Sequence, residues 1–502
     1  MKKGKLKAIC IILSIFTLIA YHIPFFRHAT ANTENGFNGI FIIVSLAVLM
    51  AVLNYFFYYL VLYSGRFIGK CILAFTFIAD AVSLYFINSY EVLITDKMMG
   101  NVFNTQYSEA SGFFSLSAVL YVVFLGILPC IFLFRRKLDY GSFRKFLSNI
   151  GISLAIAISV ALINMQNWPW IDKNSTELGS LLMPWSYTVN TVRYYNSVKK
   201  RNQKEILLPD AKIQNDSKDV CILIIGESAR RANFSLYGYE RETNPLLAKD
   251  NVTALKAEAA ATYTTAGVKA ILDHKQTGKL YEILPNYLNR TGADVIWRTS
   301  NWGEPPVPIE NYMKVKKLKE LYPEADERYD GILLEGLKEQ IQSCTKDKVL
   351  VILHTNTSHG PTYNKKYPSE FEVFTPVCNT VEMSKADPKE LMNAYDNTIL
   401  YTDYLIHSAI GILKEIPERR SCMIYVSDHG ESLGEGNLYM HGVPMSVAPE
   451  EQVEIPFIVW TSDVHAKIKD MEKVGQHHVF HSILDFFCIE SPFFDETKNI
   501  FE

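Results

Sequence analysis

Long uninterrupted apolar runs fill the first third of the chain, and shorter apolar runs recur through the rest of it. Five early runs, at 8–26, 39–63, 68–90, 115–134 and 148–166, approach the length a helix needs to cross about 30 Å of hydrocarbon. From residue 219 onward, short β-branched runs alternate with helix-length segments of mixed polarity. The pattern predicts a five-helix transmembrane bundle over 1–166 and an α/β domain over 218–502.

Basic residues near the ends of the apolar runs orient the bundle, because they stay on the cytoplasmic side of a membrane. Four lysines precede the first run, and the second-to-third and fourth-to-fifth connections hold most of the remaining basic residues of this region. No small-x-small cleavage site follows the first run, so we expect it to remain as an anchor. Five spans then place the later residues outside the cytoplasm, in the periplasm of a Gram-negative cell.

The segment 167–217 is typical of a connector rather than a domain. Its stretches WPWIDK and MPWSYTVNTVRYYNSVKK combine Trp, Tyr and basic residues, as segments at a membrane interface do. An ordinary surface helix is the alternative. Either interpretation keeps the following domain close to the bilayer.

Continuous apolar strands separated by helix-length segments predict a mostly parallel sheet covered on both faces, which is a three-layer α/β/α domain. In that architecture, ligands bind beyond the carboxyl ends of the strands. The residues that follow each strand are therefore the ones to inspect. The predicted strands are VCILIIGE, DVIWRTS, KVLVILH, CMIYVSDHG and IPFIVW.

Charge and cysteine usage exclude some functions. A formal net charge of -3 gives no basic surface for nucleic acid, so we expect no nucleic-acid partner. The eight cysteines form no CxxC pair, which argues against a thiolate metal site. Cys344 and Cys378 could pair in an oxidising compartment, although their separation in sequence does not establish it.

Two predicted strand ends carry side chains that bind metals. Glu227 follows the first strand, and Asp428 and His429 follow the fourth. A single carboxylate after a strand is usually a helix cap or a solvated turn residue. Together, however, these residues supply oxygen and imidazole ligands that suit zinc with an open coordination position.

The segment AATYTTAGVKAIL, residues 260–272, places threonines directly before a helical run. A hydroxyl at the start of a helix lies beside unpaired backbone N–H groups and a positive dipole end, which favours phosphate binding. A metal next to that hydroxyl would favour its deprotonation. The alternative is that Thr262 or Thr264 only caps the helix.

Five blocks stand out along the α/β domain: GESARRANFSLYGYERETNP, SHGPTYNKKYP, FTPVCNT, NAYDNTILYTDYL and SDHGESLGEGNLYMHGVP. They resemble the signature segments of the lipid A phosphoethanolamine transferases, a family within the alkaline phosphatase and sulfatase superfamily. The resemblance follows the order of the family through the α/β domain, and the five apolar runs fit it too. It implies an alkaline-phosphatase/sulfatase-like fold for the periplasmic domain.

The resemblance implies a role for particular residues. The family's zinc ligands fall on Glu227, Thr264, Asp428 and His429, and Thr264 is then also the nucleophile that takes phosphoethanolamine. The family's pair of active-site histidines, which contact the phosphoryl group or a second metal, falls on His359 and His441. A buried histidine that donates to a carbonyl is the alternative for these two.

A further polar group lies in the loop after the third apolar run. Asn101, Thr105 and Glu109 are spaced by four, which places them on one face of a helix. Family members use equivalent residues to hold the lipid donor, and Glu109 suits an ethanolamine ammonium. The alternative is a solvated face of an interfacial helix.

The predicted reaction moves phosphoethanolamine from phosphatidylethanolamine to lipid A or another envelope acceptor, with Zn2+ as cofactor. A phosphoglycerol transferase or phosphatase-type hydrolase of the same superfamily is the alternative. A sulfatase is disfavoured because the nucleophile segment lacks the C/S-x-P-x-R pattern, and a nonenzymatic sensor because every ligand position is filled. The sequence does not name the acceptor, and the loop 297–312 departs from the Cys-containing loop usual in the family.

The chain departs from its relatives in its cysteines. The family stabilises the α/β domain with disulfides, some of which flank the nucleophile, whereas the corresponding residues here resemble Ala261, Ala270 and Ser384. We therefore expect packing to stabilise the domain, or else a noncorresponding pair between Cys344 and Cys378.

Overall fold

The described residues form two compact units with a boundary between Asn196 and Ser197. The computed structural model describes residues 4–33, 36–104, 114–201, 205–381, 383–463 and 467–502. The first unit is helical, and the second is built on a large β-sheet.

Apolar helices dominate the first unit. A π-helical segment, Val122–Ile127, joins two of them, and a short parallel pair links Gly4–Lys5 to Leu138–Asp139. In chain order, the helices are Leu6–Tyr21, Ile23–Ala31, Phe37–Tyr90, Asp96–Asn104, Leu116–Tyr121, Leu128–Arg135, Phe143–Ile163, Trp168–Lys173, Ser175–Leu181 and Trp185–Arg201.

Within the described residues, three helical stretches are long and apolar enough to cross a membrane: Phe37–Tyr90, Leu116–Arg135 and Phe143–Ile163. The helices Leu6–Tyr21 and Ile23–Ala31 meet at an angle of 60° and pass the same test as a pair. The unit therefore has three such spans, or four if the bent pair counts as one. Their apolar side chains are largely exposed within the protein, as expected of surfaces that face lipid.

The helix Phe37–Tyr90 folds back on itself, which accounts for two of the predicted runs. Its Arg66 has non-helical dihedral angles, with φ 45° and ψ -102°. The rings of Tyr58 and Phe77 lie 6.0 Å apart, whereas a straight helix would separate them by about 28 Å. The runs 39–63 and 68–90 are thus two arms of one hairpin.

Part of the predicted connector packs within the helical unit through polar contacts. The Tyr187 hydroxyl donates to Oδ1 of the buried Asp80 at 3.0 Å. The indole of Trp170 donates to the carbonyl of Asn32 at 2.8 Å. These contacts fix the segment to the helices, while its position at a membrane interface stays a prediction.

An eight-stranded sheet forms the centre of the second unit, in the order β8-β2-β7-β6-β1-β5-β3-β4. The pairs on either side of β7 are antiparallel and the other five are parallel, so the mostly parallel sheet is confirmed. The strands are β1 Asp219–Gly226, β2 Thr253–Glu258, β3 Asp294–Thr299, β4 Asn311–Lys314, β5 Lys348–His354, β6 Arg420–Ser427, β7 Glu454–Thr461 and β8 Val474–Gly475.

Helices cover both faces of this sheet, because alternate strand residues point to opposite sides. In β1, Leu223 and Ile225 belong to one buried apolar layer, and Ile222 and Ile224 belong to the other. This is the predicted three-layer arrangement. The helices are Thr264–Leu272, Leu284–Thr291, Val315–Leu321, Leu337–Gln342, Pro388–Lys414, Glu450–Val453 and His478–Phe486, and two short pairs join Ser432–Leu433 to Tyr439–Met440 and Lys212–Ile213 to Ile489–Glu490.

All eight cysteines are free thiols, so the possible pairing of Cys344 with Cys378 is not formed. Cys378 is buried in an apolar layer of the sheet, and Cys344 packs against that layer. Ala261 and Ala270, beside the helix Thr264–Leu272 and within it, are buried as well. Packing therefore replaces the cross-links expected from the family, as the first of the two alternatives predicts.

Candidate metal and nucleophile site

The carboxyl ends of β1 and β6 and the start of one helix meet at a single buried point. Glu227 directly follows β1, and Asp428 and His429 follow β6. These strands are neighbours and run parallel, so their ends lie at the same edge of the sheet. Thr264, the first residue of the helix Thr264–Leu272, completes the group. All four side chains are buried.

The polar atoms of these four residues surround a small common space. Thr264 Oγ1 lies 3.4 Å from Glu227 Oε2 and 3.4 Å from His429 Nε2. His429 Nε2 in turn lies 3.4 Å from Glu227 Oε1 and 3.3 Å from Asp428 Oδ2. The four residues that the sequence predicts as ligands are thus brought together.

Hydrogen bonds within the protein leave one oxygen of this group unsatisfied. Asp428 Oδ1 accepts the backbone N–H groups of Ser228 and His429, whereas the buried Oδ2 has no hydrogen-bond partner. A buried carboxylate oxygen without a partner is costly. The Oδ2 atom is therefore suited to a cation, and the residues present fit a metal.

The electrostatics of the site point the same way. Burial and the neighbouring Glu227 raise the pKa of Asp428 well above its usual range. Burial also raises the pKa of Glu227, but the positive charges that His429, His359 and His441 carry when protonated outweigh it and hold that pKa well below its usual range. Two adjacent buried carboxyls favour one protonated and one ionised form, and a bound cation would favour the ionised form of both.

A backbone carbonyl fixes the orientation of His429. Its Nδ1 lies 2.8 Å from the oxygen of Gly430, and since a carbonyl can only accept, Nδ1 carries the proton. Nε2 of the neutral ring then presents a lone pair to the other three residues. This is the way a metal-binding histidine is usually held.

Neither threonine caps the helix. The residue before the first turn is Tyr263, which makes no capping hydrogen bond with its side chain. Thr262 donates to the carbonyl of Val443 at 2.5 Å, and Thr264 faces Glu227 and His429. The capping alternative is therefore wrong for both threonines.

The helix can approach the strand ends closely because Gly267 lies in its first turns. A Cβ atom at this position would lie 2.1 Å from the carbonyl oxygen of Asp428, which is impossible without a shift. Glycine at 267 thus brings Thr264 within reach of the ligands.

His359 and His441 lie at the edge of the same site and remain slightly exposed, at 9% and 8%. Their ring centroids are 5.5 Å apart, and that of His441 is 4.2 Å from His429. Among the described residues, Glu227, His429 and His441 each offer a ligand atom, and these atoms lie within 4.8 Å of one another. His359 Nδ1 lies 2.8 Å from the carbonyl of Gly360, the contact that the buried-histidine alternative predicts.

The sequence did not predict two residues that hold the candidate ligands. Asn301, just beyond β3, donates from Nδ2 to Glu227 Oε2 at 2.7 Å. The buried Glu431 places Oε2 2.9 Å from Nδ1 of His441, and its Oε1 accepts the hydroxyl of Tyr363 at 3.0 Å. Burial raises the pKa of Glu431 to about 7. Both residues follow predicted strands, so the strand-end rule that found Glu227 applies to them too.

The predicted donor-lipid group is described only in part. Asn101 lies in the helix Asp96–Asn104, whereas Thr105 and Glu109 lie outside the described residues. Phe103, on the same helix, stacks on Tyr194 at 5.6 Å. A shared face for the three polar residues stays a prediction.

Known proteins resemble the chain over nearly its whole length. Residues 219–489 match the sulfatase family, and residues 49–198 match the family described as phosphoethanolamine transferase EptA/EptB. Phosphoethanolamine transferase EptA of Helicobacter pylori is 37% identical over 487 residues, which cover 95% of this chain and 92% of that protein.

Solved structures give the same picture. The integral membrane protein lipooligosaccharide phosphoethanolamine transferase A (EptA) from Neisseria meningitidis has a TM-score of 0.89 and 25% identity, covering 100% of this chain and 99% of that one. The C-terminal periplasmic domain of phosphoethanolamine transferase EptC from Campylobacter jejuni has a TM-score of 0.51 and 34% identity, covering 58% of this chain and 97% of that one.

Proposed function

This chain belongs to the phosphoethanolamine transferase family, and we propose that it carries phosphoethanolamine on Thr264 between a lipid donor and an envelope acceptor. One observation supports this role for Thr264 above all others. Its hydroxyl starts a helix and lies 3.4 Å from both a carboxylate and an imidazole nitrogen. A hydroxyl held in this way can be activated as a nucleophile at neutral pH, by a neighbouring base or by a bound metal.

We further propose zinc as the metal, held by Glu227, Thr264, Asp428 and His429. Ligand atoms about 2.0–2.1 Å from a tetrahedral zinc lie about 3.3–3.4 Å from one another. Four of the six contacts among these residues have donor–donor distances of 3.3 to 3.4 Å, with Glu227 facing Thr264 through Oε2 and His429 through Oε1. When bound, the metal would lower the pKa of the Thr264 hydroxyl and stabilise negative charge. His441 also fits a metal trio with Glu227 and His429, so it is a candidate ligand or phosphoryl contact together with His359.

The reaction then has two displacements at one phosphorus atom. Thr264 Oγ1 attacks the phosphorus of phosphatidylethanolamine, the bond from phosphorus to the glycerol oxygen breaks, and diacylglycerol leaves with a proton. Next, an oxygen of the acceptor attacks the same phosphorus, and Thr264 regains its proton. The backbone N–H groups of Thr264 and Thr265, at the start of the helix, can donate hydrogen bonds to the phosphoryl oxygens and stabilise the charge that develops there.

The first prediction concerns the covalent intermediate. Intact-protein mass spectrometry of the purified full chain, after exposure to phosphatidylethanolamine, should show one phosphoethanolamine adduct, and peptide analysis should place it on Thr264. Thr264→Ala should abolish both the adduct and the transfer, because it removes the attacking oxygen. Thr265→Ala is the matched control and should keep the adduct. An adduct on Thr262 or Thr265 in the wild-type protein would contradict the assignment.

The donor is proposed to be held by Asn101, Thr105 and Glu109. We expect Glu109→Gln to weaken use of phosphatidylethanolamine by the equivalent of about 1.5–3 kcal/mol, the size of one charge-assisted hydrogen bond. Metal content should not change. Phe103→Leu is the control, since Phe103 packs on Tyr194. The KM for the donor in detergent micelles measures the effect, and an unchanged KM in Glu109→Gln would remove this loop from the donor site.

We propose that the chain crosses the inner membrane five times and that its catalytic unit lies in the periplasm. The bent helix pair, the two arms of the hairpin at Arg66, and the spans Leu116–Arg135 and Phe143–Ile163 support that count. The acceptor is proposed to be lipid A or another envelope molecule. Mass spectrometry of lipid A from cells with and without this chain tests the acceptor, and unchanged lipid A would point to a core sugar or a protein.

A further inference from the structure

A strap of four residues, Asn301 to Glu304, crosses the start of the nucleophile helix. It leaves the end of β3, where the Thr299 hydroxyl donates to the carbonyl of Asn301 at 3.0 Å. Asn301 then donates from Nδ2 to Glu227 Oε2 at 2.7 Å and to the carbonyl of Thr355 at 2.8 Å. The first residue of the strap is therefore fastened to a proposed metal ligand and to the loop after β5.

The middle of the strap covers the threonines. Gly303 has φ +106°, and a Cβ atom at this position would lie 3.3 Å from the methyl groups of both Thr264 and Thr265. The backbone of the strap thus lies close to the face of Thr264 that carries the methyl group. Only glycine combines this close approach with a left-handed backbone at little cost.

Glu304 fastens the other end of the strap to two strands. The hydroxyl of Tyr312, on β4, donates to Glu304 Oε1. Glu304 Oε2 lies 3.6 Å from Nδ1 of the fully buried His354, the last residue of β5. Burial alone would raise the pKa of Glu304, but His354 and Tyr312 outweigh it and lower that pKa to about 2. Glu304 Oε2 makes no hydrogen bond, so the Tyr312 hydroxyl is the hydrogen-bonded anchor of Glu304, and His354 is a neighbour at 3.6 Å.

We propose that Glu304 is a positioning residue whose anchorage keeps the strap against Thr264, so that phosphoethanolamine on Thr264 passes to the acceptor and not to water. This inference rests on the proposed role of Thr264. The competing reaction is hydrolysis of the adduct. A water oxygen attacks phosphorus, the bond from phosphorus to Thr264 Oγ1 breaks, Thr264 regains a proton, and free phosphoethanolamine leaves.

The strap should matter because water that reaches the phosphorus of the adduct can hydrolyse it. A loop packed on the nucleophile excludes water from one side of the adduct and leaves the other side to the acceptor. A strap tied at Asn301 alone would fluctuate about that one anchor. Loss of the Glu304 anchor should therefore admit water without removing any group that touches the substrate.

The test measures how the adduct partitions between water and the acceptor. The full chain is loaded with phosphatidylethanolamine, freed of donor, and followed by mass spectrometry with and without lipid A. We expect Glu304→Ala to release free phosphoethanolamine about tenfold faster than the wild-type protein, the fold-change equivalent to losing one charge-assisted contact. Glu310→Gln, an exposed carboxylate in the same loop, is the matched control and should match the wild-type protein.

Tyr312→Phe removes the hydrogen bond to Glu304 but leaves the contact with His354, and it should give a smaller increase in a protein that still folds. It decides the matter if Glu304→Ala does not fold. The inference is overturned if folded Glu304→Ala has the same adduct lifetime and partition as the wild-type protein. If Glu304→Ala does not fold, the same result in Tyr312→Phe overturns it. Thr264 would remain the nucleophile in either case. A wild-type protein without any adduct on Thr264 would instead overturn the proposed function and this inference with it.

Discussion

The two ends of the central strands differ in how their buried charged side chains are paired. At the amino ends of β1, β5 and β6 lie Asp219, Lys348 and Arg420. Lys348 Nζ is 2.6 Å from Asp219 Oδ2, and Arg420 Nε is 3.0 Å from Asp219 Oδ1. Lys348 also donates to Asn215 and Ser217. Each of these three charged side chains has an oppositely charged partner within the protein.

The carboxyl ends of the same strands are not balanced in this way. Glu227 and Asp428 lie beside histidines, and neither forms an ion pair with a lysine or arginine among the described residues. Asp428 Oδ2 has no hydrogen-bond partner. Buried charges normally occur paired or bound to a metal. This difference supports the proposal that the carboxyl ends form the functional site and the amino ends stabilise the fold. A network that satisfies itself stabilises the fold, whereas one that lacks a cation is prepared to bind one.

The largest expected effect comes from breaking the unbalanced end. Asp428→Ala should remove the metal and reduce transfer by more than about 100-fold, because even outer partners of metal ligands are worth about 10- to 100-fold. Elemental analysis and transfer assays on the purified chain measure both. Asp216→Ala, an exposed carboxylate near the amino end of β1, is the control. Full activity in Asp428→Ala would contradict the site.

Asp428→Asn tests the same site through the direction in which stability changes with pH and with metal. In chelated protein the raised pKa of Asp428 means that the folded state holds a proton that the unfolded state releases above about pH 4. The stability of the metal-free protein should therefore fall as the pH rises above that value. Asp428→Asn should raise the melting temperature of the chelated protein at neutral pH and lower that of the metal-loaded protein.

Breaking the balanced end should affect stability but not chemistry. Lys348→Met leaves Asp219 buried with only Arg420 as a charged partner, and loss of one member of a buried ion pair costs about 3 kcal/mol. Thermal unfolding in detergent should show a clear drop in melting temperature, while metal content and the adduct on Thr264 persist at permissive temperature. Lys218→Met, at an exposed position next to the strand, is the control. Loss of metal in Lys348→Met would mean that the two ends are not independent.

The same contrast explains how much could be predicted from the sequence. The five strands with continuous apolar runs are confirmed, since burial on both faces leaves a strong signal. Three strands were missed: Thr253–Glu258, Asn311–Lys314 and Val474–Gly475. They lie toward the sheet margins, and their composition is mixed or their length is short, so their pairing depends on neighbours far away in sequence.

The site was predictable where a residue follows a strong strand, as Glu227, Asp428 and His429 do. Asn301 follows a strand as well, but its amide gives no metal signal and its contact with Glu227 depends on the path of the strap. Gly267 is similar, because only the packed structure shows that a Cβ atom there would meet Asp428. Local patterns therefore indicated the candidate ligands, and tertiary packing determines what holds them.

The smallest expected effect concerns Glu431, which lies at the carboxyl ends of the strands and holds the candidate ligand His441. Glu431→Gln keeps the shape of the side chain and an oxygen for the hydroxyl of Tyr363, but it weakens the contact with Nδ1 of His441. We expect metal affinity or transfer to fall by about tenfold, at the low end of the effect of outer partners. Competition with a chelator of known affinity measures the metal affinity. Tyr363→Phe should lower that affinity less, because the contact between Glu431 and His441 remains. An equal loss in both variants would assign Glu431 to packing around Tyr363, and His441 would then keep its orientation without it.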